Sequence, residues 1–131
     1  MDFHRGTPLL YQIFFVPAEN RLVLYLIDMY TNFGYNAGMI KNFADKETEK
    51  IYDQIFSRKL PQDIQRIALR KLIMMNNAAC LEDLRIPPAN HLEALRGKRT
   101  GQFSIRINGQ YRICFSVEGN NFVDVEIVDY H

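Results

Sequence analysis

The chain has 131 residues, of which 47% are hydrophobic, and a formal net charge of +1 at pH 7. This length predicts one domain with an appendage, and the hydrophobic content excludes a disordered chain. The near-neutral balance gives no information about partners, so only the distribution of the charges can indicate them.

Cysteine and histidine residues are few and unclustered. The two cysteines, Cys80 and Cys114, form no Cys-x-x-Cys pair, and the three histidines, His4, His91 and His131, have no metal-ligand spacing. This pattern predicts no disulfide framework, no metal site and no cofactor. A reducing cytoplasm is therefore the expected compartment.

Residues 1–38 differ in composition from the rest of the chain. Their apolar runs, Leu9–Val16 and Leu22–Ile27, are separated by a polar turn at residues 17–21. Neither run reaches the roughly 20 residues that span a bilayer, and the segment lacks the pattern of a signal peptide. We expect no membrane association, and a loosely packed hairpin is one interpretation of the two runs.

A short strand and two amphipathic helices are predicted for residues 39–79. Residues 40–43 alternate apolar and polar side chains as a strand does. Asp45 then provides an N-cap for a helix whose predicted apolar face is Ile51, Tyr52, Ile55 and Phe56. Pro61 suits a first helical position, and helical spacing continues to about Ala79 through Ile64, Ile67, Ala68, Leu72 and Met75.

After a polar loop at residues 85–90, the apolar period changes from helical to two. Residues 92–95 open the series, and the inward-facing positions of the later strands are predicted to be Phe103, Ile105, Ile107, Tyr111, Ile113, Phe115, Val117, Val123, Val125 and Ile127. The resulting order, β-α-α-β-β-β(-β), defines an α+β fold. Two helices pack on one face of a curled, mainly antiparallel sheet.

The turn at residues 108–110 determines how its two flanking strands pair. A three-residue loop sets Ile105 opposite Ile113 and keeps the large apolar side chains on one face, whereas a two-residue turn does not. The same register sets Arg106 opposite Arg112. Facing arginines repel each other unless an anion lies between them or both guanidinium groups extend into water, and both alternatives stay open.

Basic residues are concentrated in one part of this near-neutral chain. No acidic residue lies between Ala94 and Val117, and the basic residues of this stretch are Arg96, Lys98, Arg99, Arg106 and Arg112. We call this set the basic stripe. Such a stripe is typical of a polyanion-binding site, and the alternative is a solvated face with acidic partners from elsewhere in the chain.

Three motifs in the second half of the chain resemble HigB-type toxins of the RelE/ParE superfamily. They are PPANHLEALRGKRTGQFSIRI at residues 87–107, QYRICF at residues 110–115 and VEIVDYH at residues 125–131. The resemblance extends from Met39 to the last residue, and three ordered motifs are more specific than a single short one. The family fold agrees with the order of elements predicted above.

The resemblance implies a ribosome-dependent, metal-independent endoribonuclease that cleaves translated mRNA. It also implies neutralisation by a helix-turn-helix antitoxin of the HigA type, through which alone the protein would contact operator DNA. In the implied reaction the 2′-hydroxyl attacks the adjacent phosphate. The site therefore needs a base, an acid and cations that stabilise the developing negative charge.

Matching positions carry the family's functional residues onto this chain. Arg112 matches the phosphate-stabilising arginine, and Arg96 matches the basic residue of the Leu-(Lys/Arg)-Gly strand end. The terminal motif contributes Asp129, Tyr130 and His131, with His131 the acid/base candidate because imidazole titrates near neutral pH. The other members of the basic stripe, Lys98, Arg99 and Arg106, are expected to bind RNA or ribosomal phosphates.

Glu93 departs from the family pattern, because some members have a histidine there that is proposed to be catalytic. The base must then come from elsewhere, from Asp129 or His131. These two residues share the strand parity of the core positions Val125 and Ile127. We therefore expect them to lie past the packed part of the sheet or after a bulge.

Other functions remain open for this sequence. A ParE-type poison of DNA gyrase shares the fold but would lack the catalytic end, so the terminal Asp-Tyr-His and Arg112 favour the nuclease. A non-catalytic RNA- or ribosome-binding module would use the basic stripe without an acid/base group, and a structural protein would need neither.

The resemblance begins at Met39, which predicts a toxin domain over residues 39–131 and a separate segment over residues 1–38. Codons permitted for residues 27–29 and 35–36 can spell the two hexamers of a bacterial housekeeping promoter. We therefore hypothesise that native translation starts at Met39 and that residues 1–38 are either an extension or upstream DNA read as protein.

Overall fold

The computed structural model of the chain describes residues 38–130. The hairpin predicted within residues 1–38 and the terminal His131 lie outside these residues. In chain order the described elements are helices α1 (Lys46–Tyr52) and α2 (Gln62–Asn76) and strands β1 (Glu93–Ala94), β2 (Gln102–Arg106), β3 (Tyr111–Glu118) and β4 (Asn121–Asp129). The four strands form one open antiparallel sheet in the order β1-β2-β3-β4, which confirms the predicted α+β class.

Helix α1 begins where the sequence predicts, because the Asp45 side chain accepts a hydrogen bond from the Thr48 backbone N–H at 2.9 Å. It ends at Tyr52, earlier than predicted. Gln54 adopts a left-handed backbone conformation with φ of 64°, which turns the chain away from the helix axis. The prediction that Ile55 and Phe56 extend the apolar face was therefore wrong, and these side chains are 54% and 60% exposed.

Helix α2 packs its predicted apolar face into the core. Pro61 is its N-cap rather than its first helical residue, and the helix ends at Asn76. The fully buried side chains on α2, which repeat at helical spacing, are Ile64, Ala68, Leu72 and Met75. Burial of each large aliphatic side chain contributes about 1.5–3 kcal/mol. Neither this helix nor α1 is long and apolar enough to cross a membrane.

The β2–β3 turn has the predicted three-residue register. Ile105 pairs with Ile113 and Arg106 pairs with Arg112. The Asn108 side chain holds the turn, because its Oδ1 accepts from the backbone N–H groups of Gln110 and Tyr111 at 2.8 and 2.7 Å. This register places Ile105 and Ile113 at 0% exposure on the helix-covered face and Arg112 on the opposite face.

A β-bulge in β4 shifts the predicted alternation of inward-facing and outward-facing residues. Asp124 and Val125 together face one residue of β3, between the pairs Cys114–Glu126 and Ser116–Val123. Asp124 has φ of 53°, a left-handed conformation that aspartate tolerates. As a result Phe122 is fully buried, whereas Val123, which was predicted to face the core, is only half-buried. Asp129 alternates in step with the buried residues Val125 and Ile127, but it lies exposed at the end of the strand.

Residues 39–44 cover the outer edge of β4 but do not form the continuous strand that was predicted. Ile40 and Phe43 make single parallel bridges to Phe122 and Val125. Between the bridges, the Asn42 Oδ1 accepts from the Asp124 backbone N–H at 2.8 Å, so a side chain replaces the strand ladder at the bulge. This cover leaves β4 without an open edge over these residues.

Candidate active site

A shallow pocket of ≈ 300 Å³ opens on the polar face of the sheet, beside the β2–β3 turn. The segment before β1, the ends of β2 and β3 and the residue after β4 meet there. The pocket is lined by His91, Glu93, Arg106, Asn108, Gly109, Arg112 and Tyr130. Three of the predicted site residues, Arg106, Arg112 and Tyr130, are therefore brought together.

Arg112 is held in one orientation by several acceptors. Its Nε donates to the buried Ser104 Oγ at 2.7 Å, and its Nη2 donates to the His91 carbonyl oxygen at 2.5 Å. The same Nη2 lies 3.4 Å from Glu93 Oε1. The guanidinium carbon lies 5.8 Å from the centre of the Tyr130 ring, within range of a cation–π contact. A planar guanidinium fixed in this way is pre-organised for an anion.

Among residues 38–130, one edge of the Arg112 guanidinium has no hydrogen-bond partner. Among residues 38–130, the hydrogen bonds of Arg112 use Nε and Nη2 but not Nη1. Its side chain is only 11% exposed, so the alternative in which both arginines extend into water is wrong for Arg112. Arg106, directly opposite, is exposed and forms no ion pair within the described part of the chain.

Lys71 on helix α2 is a half-buried lysine that contacts Asn90, the residue before His91. Burial lowers the pKa of Lys71, and the charges of Arg70 and Arg106 lower it further. Glu93 is the one carboxylate among the described residues that line the pocket. The local balance therefore favours an anionic ligand.

A buried polar network supports the segment that carries His91. Asn90 is fully buried, accepts from Lys71 Nζ at 2.5 Å and donates to the Leu84 carbonyl oxygen at 3.1 Å. His91 follows with φ of 44°, in the left-handed region. This arrangement directs the His91 carbonyl towards Arg112, so helix α2 is connected to the pocket arginine through two adjacent residues.

The terminal motif is only partly within the pocket. Tyr130 lines it, and its backbone N–H donates to the Gln110 carbonyl oxygen at 2.6 Å. Asp129 pairs with Tyr111 and accepts from Gln110 Nε2 at 3.0 Å, but it does not line the pocket. His131 follows Tyr130 directly and lies outside the described residues.

The basic stripe divides into two groups at opposite ends of β2. Arg106 and Arg112 line the pocket, whereas the group before β2 consists of Arg96, Lys98 and Arg99. Arg96 and Lys98 are exposed. Arg99 is paired with Glu126 at 2.9 Å, and this hydrogen bond raises the pKa of Arg99 above its ordinary value. The alternative of a solvated face with acidic partners from elsewhere in the chain therefore applies to Arg99, because Glu126 is such a partner.

Several residues of the site were not predicted. His91, Asn108 and Gly109 line the pocket, and Ser104 orients Arg112. The predicted β2–β3 register already set Ser104 two positions from Arg106, the partner of Arg112, and on the same face of the sheet, so that contact could have been anticipated. No comparable signal marks His91, because its position depends on the pairing of Glu93 with Ser104 across β1 and β2.

The fold and the site define a RelE-like toxin. A family model described as "RelE-like toxin of type II toxin-antitoxin system HigB" matches residues 41–131. The chain belongs to this family of HigB-like toxins, whose members act within a pair that includes an antitoxin.

Two relatives accompany this match. The chain is 41% identical to Toxin HigB-1 of Vibrio cholerae serotype O1 over 91 residues. This match covers 66% of the chain and 96% of the relative. The chain is also 42% identical to an uncharacterized protein of Haemophilus influenzae over 73 residues. That match covers 56% of the chain and 71% of the relative.

Proposed function

We propose that this toxin is a ribosome-dependent, metal-independent endoribonuclease that acts on translated mRNA in the cytoplasm. The observation that carries the proposal is the orientation of Arg112. Its guanidinium is fixed by Ser104 Oγ and the His91 carbonyl, and its Nη1 edge has no partner within residues 38–130. A half-buried, pre-oriented arginine suits a phosphate that gains charge during reaction better than it suits a solvated surface.

In the proposed reaction the 2′-oxygen of a nucleotide attacks the adjacent phosphorus and the bond to the 5′-oxygen breaks. The products are a 2′,3′-cyclic phosphate and a 5′-hydroxyl. Arg112 and the facing Arg106 neutralise the charge that develops on the phosphate oxygens. The base that takes the 2′-hydroxyl proton is His131, which directly follows the pocket residue Tyr130, with Asp129 as the alternative.

Tyr130 contributes a flat surface beside the reacting phosphate. Its ring contacts the Arg112 guanidinium, and its side chain is 43% exposed. An exposed ring at the pocket wall can stack on a base of the message while it keeps the arginine in place. This role agrees with its predicted place in the terminal motif.

The second group of the basic stripe binds the surrounding RNA. Arg96 and Lys98 are exposed at the other end of β2 and do not line the pocket. We therefore propose that Lys98 and Arg96 contact phosphates of the message or the ribosome rather than the scissile phosphate, which modifies the catalytic role predicted for Arg96. Arg99 contributes less, because Glu126 already compensates its charge.

The antitoxin partner is proposed to be a HigA-like helix-turn-helix protein. The family assignment supports the existence of an antitoxin, and the positive pocket offers a surface that a protein with acidic groups would cover. In this proposal the toxin reaches operator DNA only through the antitoxin, and covering the pocket or the basic stripe prevents ribosome binding.

The experiment combines induction in cells with a purified assay. Induction of the chain alone is expected to arrest growth, and the purified protein is expected to cleave a message on programmed ribosomes but not the same RNA in free solution. Inhibition of DNA gyrase without RNA cleavage would assign the protein to the ParE-type activity. Ribosome binding without cleavage would leave a non-catalytic module.

A further inference from the structure

The pocket contains an imidazole that the scheme above does not use. His91 is exposed and lines the pocket together with Glu93, Arg112 and Tyr130. The proposed reaction requires a proton for the departing 5′-oxygen. A guanidinium group does not give up its proton in proteins, and an ionised carboxylate only accepts hydrogen bonds. Imidazole is the side chain in this pocket that ordinarily exchanges protons near neutral pH.

The backbone at His91 is itself unusual. A φ of 44° lies in the left-handed region, which residues other than glycine seldom occupy, although asparagine, aspartate and histidine occupy it more often than the rest. Such conformations persist where the surrounding structure enforces them, and they concentrate at functional sites. Here the enforcing structure is present, because the buried Asn90 is bonded to Lys71 on α2 and to the Leu84 carbonyl.

The same backbone geometry connects His91 to the phosphate-binding arginine. The His91 carbonyl oxygen accepts from Arg112 Nη2 at 2.5 Å, and the His91 side chain lines the same pocket as the guanidinium. The carbonyl contact fixes the His91 backbone relative to the guanidinium, and the His91 side chain lines the same pocket. General acid catalysis requires such a fixed position.

We propose that His91 is a further catalytic residue, the general acid of the cleavage. This inference rests on the proposed endoribonuclease function. As the bond between phosphorus and the 5′-oxygen breaks, the His91 imidazolium transfers its proton to that oxygen and becomes neutral imidazole. The proton of the 2′-hydroxyl passes to the base of the proposed reaction, so one proton is taken up as one is delivered. Exchange with water restores both groups.

The test uses the full chain with His91→Asn, because asparagine tolerates the left-handed conformation and keeps the backbone carbonyl that Arg112 needs. Single-turnover cleavage is measured on programmed ribosomes with two messages. One has the ordinary 5′-oxygen at the scissile position, and the other has sulfur there, which leaves without protonation. His91→Gly, which relieves the backbone strain, serves as the second variant should the asparagine variant fold poorly.

The inference predicts a loss of roughly a hundredfold or more in rate for His91→Asn on the oxygen message, with most of that loss recovered on the sulfur message. Arg112→Ala, the comparison variant, should be slow on both messages. A wild-type rate for His91→Asn on the oxygen message, or the same factor of loss on both messages, would overturn the role of His91 alone. If the wild-type protein cleaves neither message, the proposed function itself fails, and the inference fails with it.

Discussion

Replacing Arg112 with alanine is the most informative single change, because the residue has both a structural and a chemical role in the pocket. The substitution removes the donors to Ser104 Oγ and the His91 carbonyl oxygen and also the cation near Glu93. Its effects on stability and on cleavage can be estimated separately.

The stability effect follows from the buried Ser104 hydroxyl. Ser104 is 0% exposed, and without the Arg112 Nε its hydroxyl loses that partner. Leaving a buried polar group unsatisfied costs about 1–3 kcal/mol, whereas the loss of the exposed Glu93 contact costs little. A domain of this size is stable by about 5–15 kcal/mol, so the variant should stay folded with a lower Tm.

The catalytic effect should be larger. Removing one pre-oriented donor to a developing oxyanion costs about 3–4 kcal/mol, or a factor on the order of a hundred to a thousand in rate. The assay is single-turnover cleavage at saturating programmed ribosomes, with Tm measured in parallel. Ser104→Ala is the matched control, because it removes the Nε acceptor but keeps the guanidinium, and we expect it to lose less activity. Arg112→Ala at the wild-type cleavage rate, with the fold confirmed, would refute the reasoning.

The other predictions concern the rest of the chain. Lys98→Ala should weaken ribosome binding and make its dependence on salt shallower by about one charge, with an unchanged rate at saturation; a slower chemical step at saturation would place Lys98 in the reaction instead. Deletion of residues 1–38 should leave both Tm and growth arrest intact, and an unfolded truncated protein would argue against a start at Met39. Cys114 is fully buried, and burial raises the pKa of its thiol, whereas Cys80 is half-buried. A thiol reagent at neutral pH should therefore modify Cys80 in the native protein and Cys114 only after unfolding, and equal rates would contradict the core packing.

Much of the fold follows from local patterns that the sequence displays. The Asp45 cap, the helical spacing of α2 and the register of the β2–β3 turn were predicted correctly, because each depends on residues close in the chain. The incorrect predictions have local causes that periodicity does not reveal. A left-handed Gln54 ends α1 early, and a bulge at Asp124 exchanges the roles of Phe122 and Val123.

The site could be predicted only where it depends on strands β2 and β3 and the turn between them. The facing pair Arg106 and Arg112 followed from the turn, and the register also sets Ser104 close to Arg112. His91 lies in a segment held by the Lys71–Asn90 contact, nineteen residues apart in the chain, and by the pairing of Glu93 with Ser104. A contact of that kind depends on tertiary packing, so no spacing rule could have placed His91 beside Arg112.

The central claim is that the pocket around Arg112 cleaves messenger RNA during translation. Mapping mRNA 5′ ends in cells after brief induction tests it most directly, with the wild-type chain compared with Arg112→Ala at equal protein level. The account predicts new ends within translated frames, phased to codons, for the wild type and their near absence for the variant. Growth arrest without phased ends, or with DNA breaks that depend on gyrase, would contradict it.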